Sequence, residues 1–225
     1  MSNSLSEVLV RKEGEYRDDR LFYIGCDDRY APDQYFGFFK MPRIKICMVP
    51  AADNLSHAQY VLDKLKPIKC EDDDEKWMVL DTDHCTKGNH FASYEKALSE
   101  ARRIGVHIAI SCPCFEVWLA FHHSPVDEVV KLATAELCSQ HLSKVTNGYN
   151  KTQLREEAFP IETLPEAYHR AVKRDAEVVG GDKPDGVTTR VYQVWHNILM
   201  KALASQLPGV LRDLADEIKA SGRQY

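Results

Sequence analysis

Four short apolar runs, each followed by a segment of helical length or helical pattern, constrain this fold more than any other feature of the chain. Leu21–Cys26, Arg43–Val49, Trp77–Leu80 and Val106–Ile110 have the length and the β-branched and aromatic residues of strands. Alternation of this kind, with crossovers of this size, implies a mainly parallel sheet covered by helices on both faces. The expected fold class is α/β. In an open sheet of that kind ligands bind beyond the carboxyl ends of the strands, so the residues that close each run carry the functional information.

Those closing residues are acids. The first run ends in Asp27-Asp28 and the third in Asp81-Thr82-Asp83. The fourth leads through Ser111-Cys112-Pro113-Cys114 to Glu116, in the first turn of a strongly apolar helix, Phe115–Phe121. Carboxylates gathered on one rim cannot all stay ionised without compensation. A hard divalent cation supplies it: Mg²⁺ or Mn²⁺ binds one or two carboxylates and completes its shell with water and substrate phosphate. A bound ion then polarises a phosphoryl oxygen and lowers the pKa of a bound water. Asp27, Asp28, Asp81 and Asp83 are the candidate metal ligands. Two plainer readings stand beside this one. Asp83 suits a helix cap in a solvated loop, and Glu116 suits the positive end of its helix.

The remaining chain reads as follows. Residues through Arg20 form a polar, mobile N-terminal arm, and Pro32 opens a short helix. Asn54 or Ser56 caps a helix running to about Lys66, and Glu71–Glu75 is a solvated acidic turn. Phe91–Arg103 is an amphipathic helix stopped by Gly105. Past Ser124-Pro125 the pattern turns helical, over Asp127–Leu142, Glu162–Val178, Thr188–Ala204 and Val210–Ala220, with a loop at Gly180–Gly186. The organisation expected is an arm (1–20), an α/β core (21–124) and a C-terminal helical appendage packed on it (125–225).

Composition limits the function classes. With 225 residues the chain has ample length for a buried core. No apolar run approaches the ~20 residues that span a bilayer, and Met1–Glu7 has no apolar secretory core. No membrane partner is expected, and the expected location is cytoplasmic. Seven cysteines without regular spacing make a poor disulfide framework and read as small buried hydrophobes. His122-His123 near Cys112 and Cys114 has no second ligand pair at zinc-finger spacing. The net charge of −5 argues against general coating of DNA but not against a local basic patch.

Four motifs carry a resemblance to a known family. They are Ile24-Gly25-Cys26-Asp27-Asp28 with Pro32-x-x-Tyr35-Phe36; Val79-Leu80-Asp81-Thr82-Asp83; Ser111-Cys112-Pro113-Cys114-Phe115-Glu116-Val117-Trp118-Leu119; and Tyr149-Asn150-Lys151 with Thr188-Thr189-x-Val191-Tyr192. Together they span most of residues 21–195, and in them the chain resembles the RloB family, whose core is Toprim-like. Toprim domains place a glutamate at the end of the first strand and an Asp-x-Asp at the end of the third, and use Mg²⁺ to cut or join nucleic-acid backbones. Asp81 and Asp83 match the second element. The glutamate position falls on Asp27, one methylene shorter, and the glycine after it falls on Asp28.

The resemblance implies a metal-dependent nuclease acting on RNA (tRNA among the candidates) or DNA, as an effector of prokaryotic anti-phage defence. Asp27, Asp81, Asp83 and Glu116 are the implied catalytic residues, and Arg29, Lys87, Lys151 and Arg190 the implied substrate-binding ones. Tyr30 and His90 are further candidates for stacking on bases. An ATPase partner encoded nearby and a homo-oligomeric state are compatible with the resemblance. The departure at Asp27 supports an alternative, a catalytically degenerate Toprim-like subunit that binds nucleic acid or senses a signal.

Overall fold

The computed structural model describes residues 18–50, 57–83 and 90–225. Among them are strands β1 (Arg20–Cys26), β2 (Ile44–Val49), β3 (Glu75–Asp81), β4 (His107–Cys112) and β5 (Thr188–Thr189). The helices are α1 (Ala31–Gly37), α2 (Ala58–Leu65), α3 (His90–Arg103), α4 (Glu116–Phe121), α5 (Val126–Val129), α6 (Ala135–Val145), α7 (Leu164–Asp175), α8 (Val191–Lys201) and α9 (Gly209–Ser221). The strands form one sheet in the order β2-β1-β3-β4-β5. Pairing is parallel except between β4 and β5. The α/β class with a mainly parallel sheet under helices is therefore observed.

Strand periodicity sorts the core into two layers. Along β3, Trp77 and Val79 face one cluster while Met78 and Leu80 face the other, as the alternation of side chains requires. The smaller cluster packs α2 and α3 against the sheet. The larger joins β1, β3 and β4 to α1, α4 and the helices of the C-terminal half. Gly25 lets α2 approach the sheet: a Cβ there would lie 2.8 Å from Val61 Cγ1 and 3.2 Å from Leu65 Cδ1.

Several elements differ from the sequence expectation. The helix expected over Asp127–Leu142 is two, α5 and α6, because Thr134 leaves helical geometry and its hydroxyl accepts the Leu137 N–H at 3.2 Å as an N-cap. Thr188 and Thr189, expected in a helix, form β5 against β4. Their β-branched side chains suit a strand, and Thr189 Oγ1 meets Ser111 Oγ at 2.8 Å. Glu75, expected in a solvated turn, is buried at the start of β3. It accepts from Trp77 Nε1 at 2.7 Å and pairs with Lys201 Nζ at 3.0 Å. The N-cap of α2 is His57, and the expected caps Asn54 and Ser56 lie outside the described residues, as does 1–17 of the expected arm. Among the described residues no helix is long and apolar enough to cross a membrane.

Candidate metal centre

Alternation explains which acids meet. On β1, Phe22, Ile24 and Cys26 face the larger core cluster, and Asp28 continues that phase past the strand end. On β3, Trp77 and Val79 face the same side, and Asp81 continues it. From the loop after β4, Glu116 enters at the start of α4, on that same side. The outcome is a group of three: one carboxylate oxygen each from Asp28, Asp81 and Glu116 lie within 4.8 Å of one another. Asp81 and Glu116 are 4% and 2% exposed.

The main chain braces this corner. The Cys112–Pro113 peptide is cis, and the Pro113 carbonyl accepts the N–H groups of Thr82 at 3.0 Å and Asp83 at 3.1 Å. That fastens the end of β3 to the loop that delivers Glu116. Asp27 serves as a second brace. It is 6% exposed, and its Oδ1 accepts the Asp28 N–H at 3.0 Å while its Oδ2 accepts the Asp81 N–H at 3.0 Å. Asp28 Oδ1 in turn accepts the Tyr30 N–H at 3.0 Å, just before α1 begins.

Opposite the acids stands the segment Tyr149-Asn150-Lys151. The Tyr149 hydroxyl donates to Glu116 Oε1 at 2.9 Å. Lys151 Nζ lies 3.0 Å from Asp28 Oδ2 and 3.5 Å from Glu116 Oε1. Gln34 on α1 fixes the segment: its Nε2 donates to the Lys151 carbonyl at 3.0 Å and its Oε1 accepts the Leu154 N–H at 2.8 Å. Glu116 Oε2 is buried with no hydrogen-bond partner among the described residues.

Electrostatics follow from burial and crowding. Burial pushes the Asp81 carboxyl well above its ordinary range, and the charges of Asp27, Glu116, Asp28 and Asp83 push it further. Burial raises Asp27 to about 7, against the lowering effect of the Asp81 N–H. Burial also raises Asp28, while Lys151 opposes the shift. Burial pulls the Lys151 ammonium down, but Glu116 and Asp28 outweigh it and hold it above its ordinary value.

The other expected site residues are distributed differently. Asp83 is half-buried one turn past the group, its N–H on the Pro113 carbonyl, and is not one of the three. Arg29 and Tyr30 are exposed beside Asp28, with the guanidinium carbon 5.5 Å from the Tyr30 ring centre. Arg190 is turned to α7, where its Nε meets Asp175 Oδ1 at 3.1 Å. Asp175 also accepts the Tyr192 hydroxyl at 2.9 Å, so this part of the fourth motif ties α7 to α8. Lys87 lies outside the described residues, and His90 opens α3. The His122 ring is spoken for: Nε2 meets the Tyr35 hydroxyl at 2.9 Å and Nδ1 meets Thr163 Oγ1 at 2.7 Å. Sequence reasoning assigned no role to Tyr149 or Gln34. Tyr149 stood inside a quoted motif, which was its one visible signal; Gln34 offered none.

Three carboxylates, one with a buried oxygen lacking a partner, fit a hard divalent cation. Bonds of roughly 2.0–2.1 Å to one Mg²⁺ place adjacent oxygens about 2.9 Å apart and opposite ones about 4.1 Å apart, so the group would have to draw in around an ion. Asp28, Asp81 and Glu116 are the residues that would do so.

In comparison with known proteins, the family model described as RloB-like protein aligns with residues 22–198. Neither the curated proteins nor the solved structures contain a match to the chain.

Proposed function

This chain belongs to the RloB-like family, and from that premise we propose that it is a metal-dependent nuclease that hydrolyses phosphodiester bonds in RNA or DNA, RNA being favoured. The observation that carries this reading is the convergence of Asp28, Asp81 and Glu116 within 4.8 Å of one another at the carboxyl ends of the strands. When bound there, Mg²⁺ or Mn²⁺ would supply Lewis acidity toward a phosphoryl oxygen and acidify a bound water. The chain's own residues do the rest. Asp28, Asp81 and Glu116 provide a hard oxygen donor set. Asp27 and the Pro113 carbonyl hold the strand ends in register by taking the N–H groups of Asp28, Asp81, Thr82 and Asp83. Tyr149 fixes the orientation of Glu116. Lys151 and Arg29 supply positive charge beside the acids for a phosphate backbone, and exposed Tyr30 offers a ring for a base. Asp83 and Lys87 flank the centre in sequence and belong to the same proposal. The defence role and an ATPase partner are part of this reading through the family resemblance.

The second reading, a degenerate subunit that binds nucleic acid without cutting it, is favoured by two observations. Both oxygens of Asp27, at the position of the Toprim glutamate, are taken by main-chain donors. An ammonium also rests on the acids. Cleavage assays on labelled tRNA, single-stranded RNA and duplex DNA with Mg²⁺ and with Mn²⁺ decide between them, run with and without any ATPase found to be encoded beside the chain. The nuclease reading expects cutting that disappears in Asp81→Ala and Glu116→Gln. Binding with no cutting under any of these conditions selects the second reading, and undiminished cutting by both variants removes the site assigned here.

A further inference from the structure

We propose that Lys151 is a resident counter-ion of the acidic centre, one that a divalent cation displaces toward the rim. The inference rests on the reading of Asp28, Asp81 and Glu116 as a metal site. Its own support is the position of the ammonium, 3.0 Å from Asp28 Oδ2 and 3.5 Å from Glu116 Oε1. Those two residues belong to the group whose oxygens lie within 4.8 Å of one another. Buried carboxylates this close need a compensating charge before any ion arrives, and Lys151 provides one. An ammonium and a divalent ion repel each other, so one must leave for the other to sit among the same carboxylates.

The chain is built to let Lys151 leave. Its side chain is 42% exposed, while those of Asp28 and Glu116 are 4% and 2% exposed. Its main chain stays pinned by Gln34, so only the flexible four-carbon stem has to swing. Glu116 does not depend on Lys151 for its placement, because the Tyr149 hydroxyl holds Oε1 at 2.9 Å. An ammonium turned outward from this position stands at the mouth of the centre, where a phosphate bound to the ion would arrive. Lys151 thus couples metal loading to readiness for an anionic substrate, and it is a positioning residue, not a catalytic one.

Two measurements test this. Titration calorimetry with Mn²⁺ compares the full chain with Lys151→Met. Loss of the competing charge should tighten Mn²⁺ binding about tenfold or more, tenfold being about 1.4 kcal/mol. Amine acylation of the unaltered protein, mapped by mass spectrometry, reads the displacement directly and does not depend on the variant folding. Lys151 should acylate several-fold faster once Mg²⁺ is added, while exposed Lys173 on α7 keeps its rate. If the unaltered protein binds Mn²⁺ and Lys151→Met binds it no more tightly, or if Mg²⁺ leaves Lys151 acylation unchanged, the displacement is wrong and the metal site stands. If neither protein binds Mn²⁺, the inference and the metal site fail together.

Discussion

Asp27 Oδ2 accepts the main-chain N–H of Asp81 at 3.0 Å, so the first acid after β1 fastens the end of β3 and leaves its neighbour, Asp28, to face Asp81 across the centre. Two adjacent aspartates thereby take different tasks, and the geometry separates them experimentally. Asp27→Ala leaves the N–H groups of Asp28 and Asp81 without their partner, at about 1–3 kcal/mol for each buried group. The expected outcome is a lower melting temperature and Mn²⁺ affinity weakened about 10–100-fold, as for loss of a group that orients ligands. Asp28→Ala removes a ligand and relieves repulsion, but it also removes the acceptor of the Tyr30 N–H and the partner of Lys151, so Mn²⁺ binding should vanish with a smaller fall in melting temperature than Asp27→Ala shows. Thermal unfolding and calorimetry on the two variants check the contrast.

Asp81 should display a conflict between stability and activity. Burial and four neighbouring acids hold its carboxyl well above the ordinary range, so the group costs the metal-free fold stability at any pH above the ordinary carboxylate range. Asp81→Asn should raise the metal-free melting temperature by about 2–4 °C for each ~1 kcal/mol of repulsion relieved, while cleavage disappears. A melting temperature that falls in Asp81→Asn would contradict this electrostatic account.

His122 predicts a pH signature of its own, separate from the acidic group. Burial lowers it from 6.5 to about 3. Its hydrogen bonds with Tyr35 and Thr163 suit the neutral ring. Thr163 donates onward to the Pro160 carbonyl at 2.8 Å, so Nδ1 is the donor and Nε2 accepts from Tyr35. The unfolded chain takes up a proton near pH 6.5 and the folded chain does not until about 3, so His122 contributes stability that is complete above 6.5 and is lost as pH falls toward 3. Between those limits the loss is about 1.4 kcal/mol per pH unit. Urea unfolding at mildly acidic and neutral pH should show that slope reduced in His122→Asn relative to the parent.

The contact of α2 with the sheet is equally exposed to test. A methyl group at Gly25 would stand 2.8 Å from Val61 Cγ1, so Gly25→Ala should destabilise by about 1–3 kcal/mol through overpacking. Adding Val61→Ala should recover part of that loss. Equal stability of Gly25→Ala and the parent in chemical unfolding would contradict the packing.

Much of this was legible in the chain because strand periodicity is local. Trp77–Leu80 lies within β3 and His107–Ile110 within β4, the acids lie at or just past the strand ends, and the parallel sheet brings those ends to one side. The choice of Asp28 over Asp27 was also readable in principle, from the phase Phe22, Ile24, Cys26, Asp28. Family likeness pulled instead toward Asp27, where an acid of different length stands in the glutamate position. Other features depend on contacts distant in sequence. Gln34 lies far from Leu154 along the chain, and Thr189 becomes part of a strand only because β4 presents Ser111 beside it. Local propensity says nothing of such neighbours. The same holds for Glu75, whose partners Asn197 and Lys201 come from α8.

Anomalous diffraction from crystals soaked in Mn²⁺ tests the central claim most directly. The account predicts a rim peak with one oxygen each from Asp28, Asp81 and Glu116 in its shell, and with the Lys151 ammonium withdrawn from Asp28. A peak held by Asp27 with Asp28 and Glu116 out of reach would contradict it, as would no rim peak at saturating Mn²⁺ in protein that cuts nucleic acid.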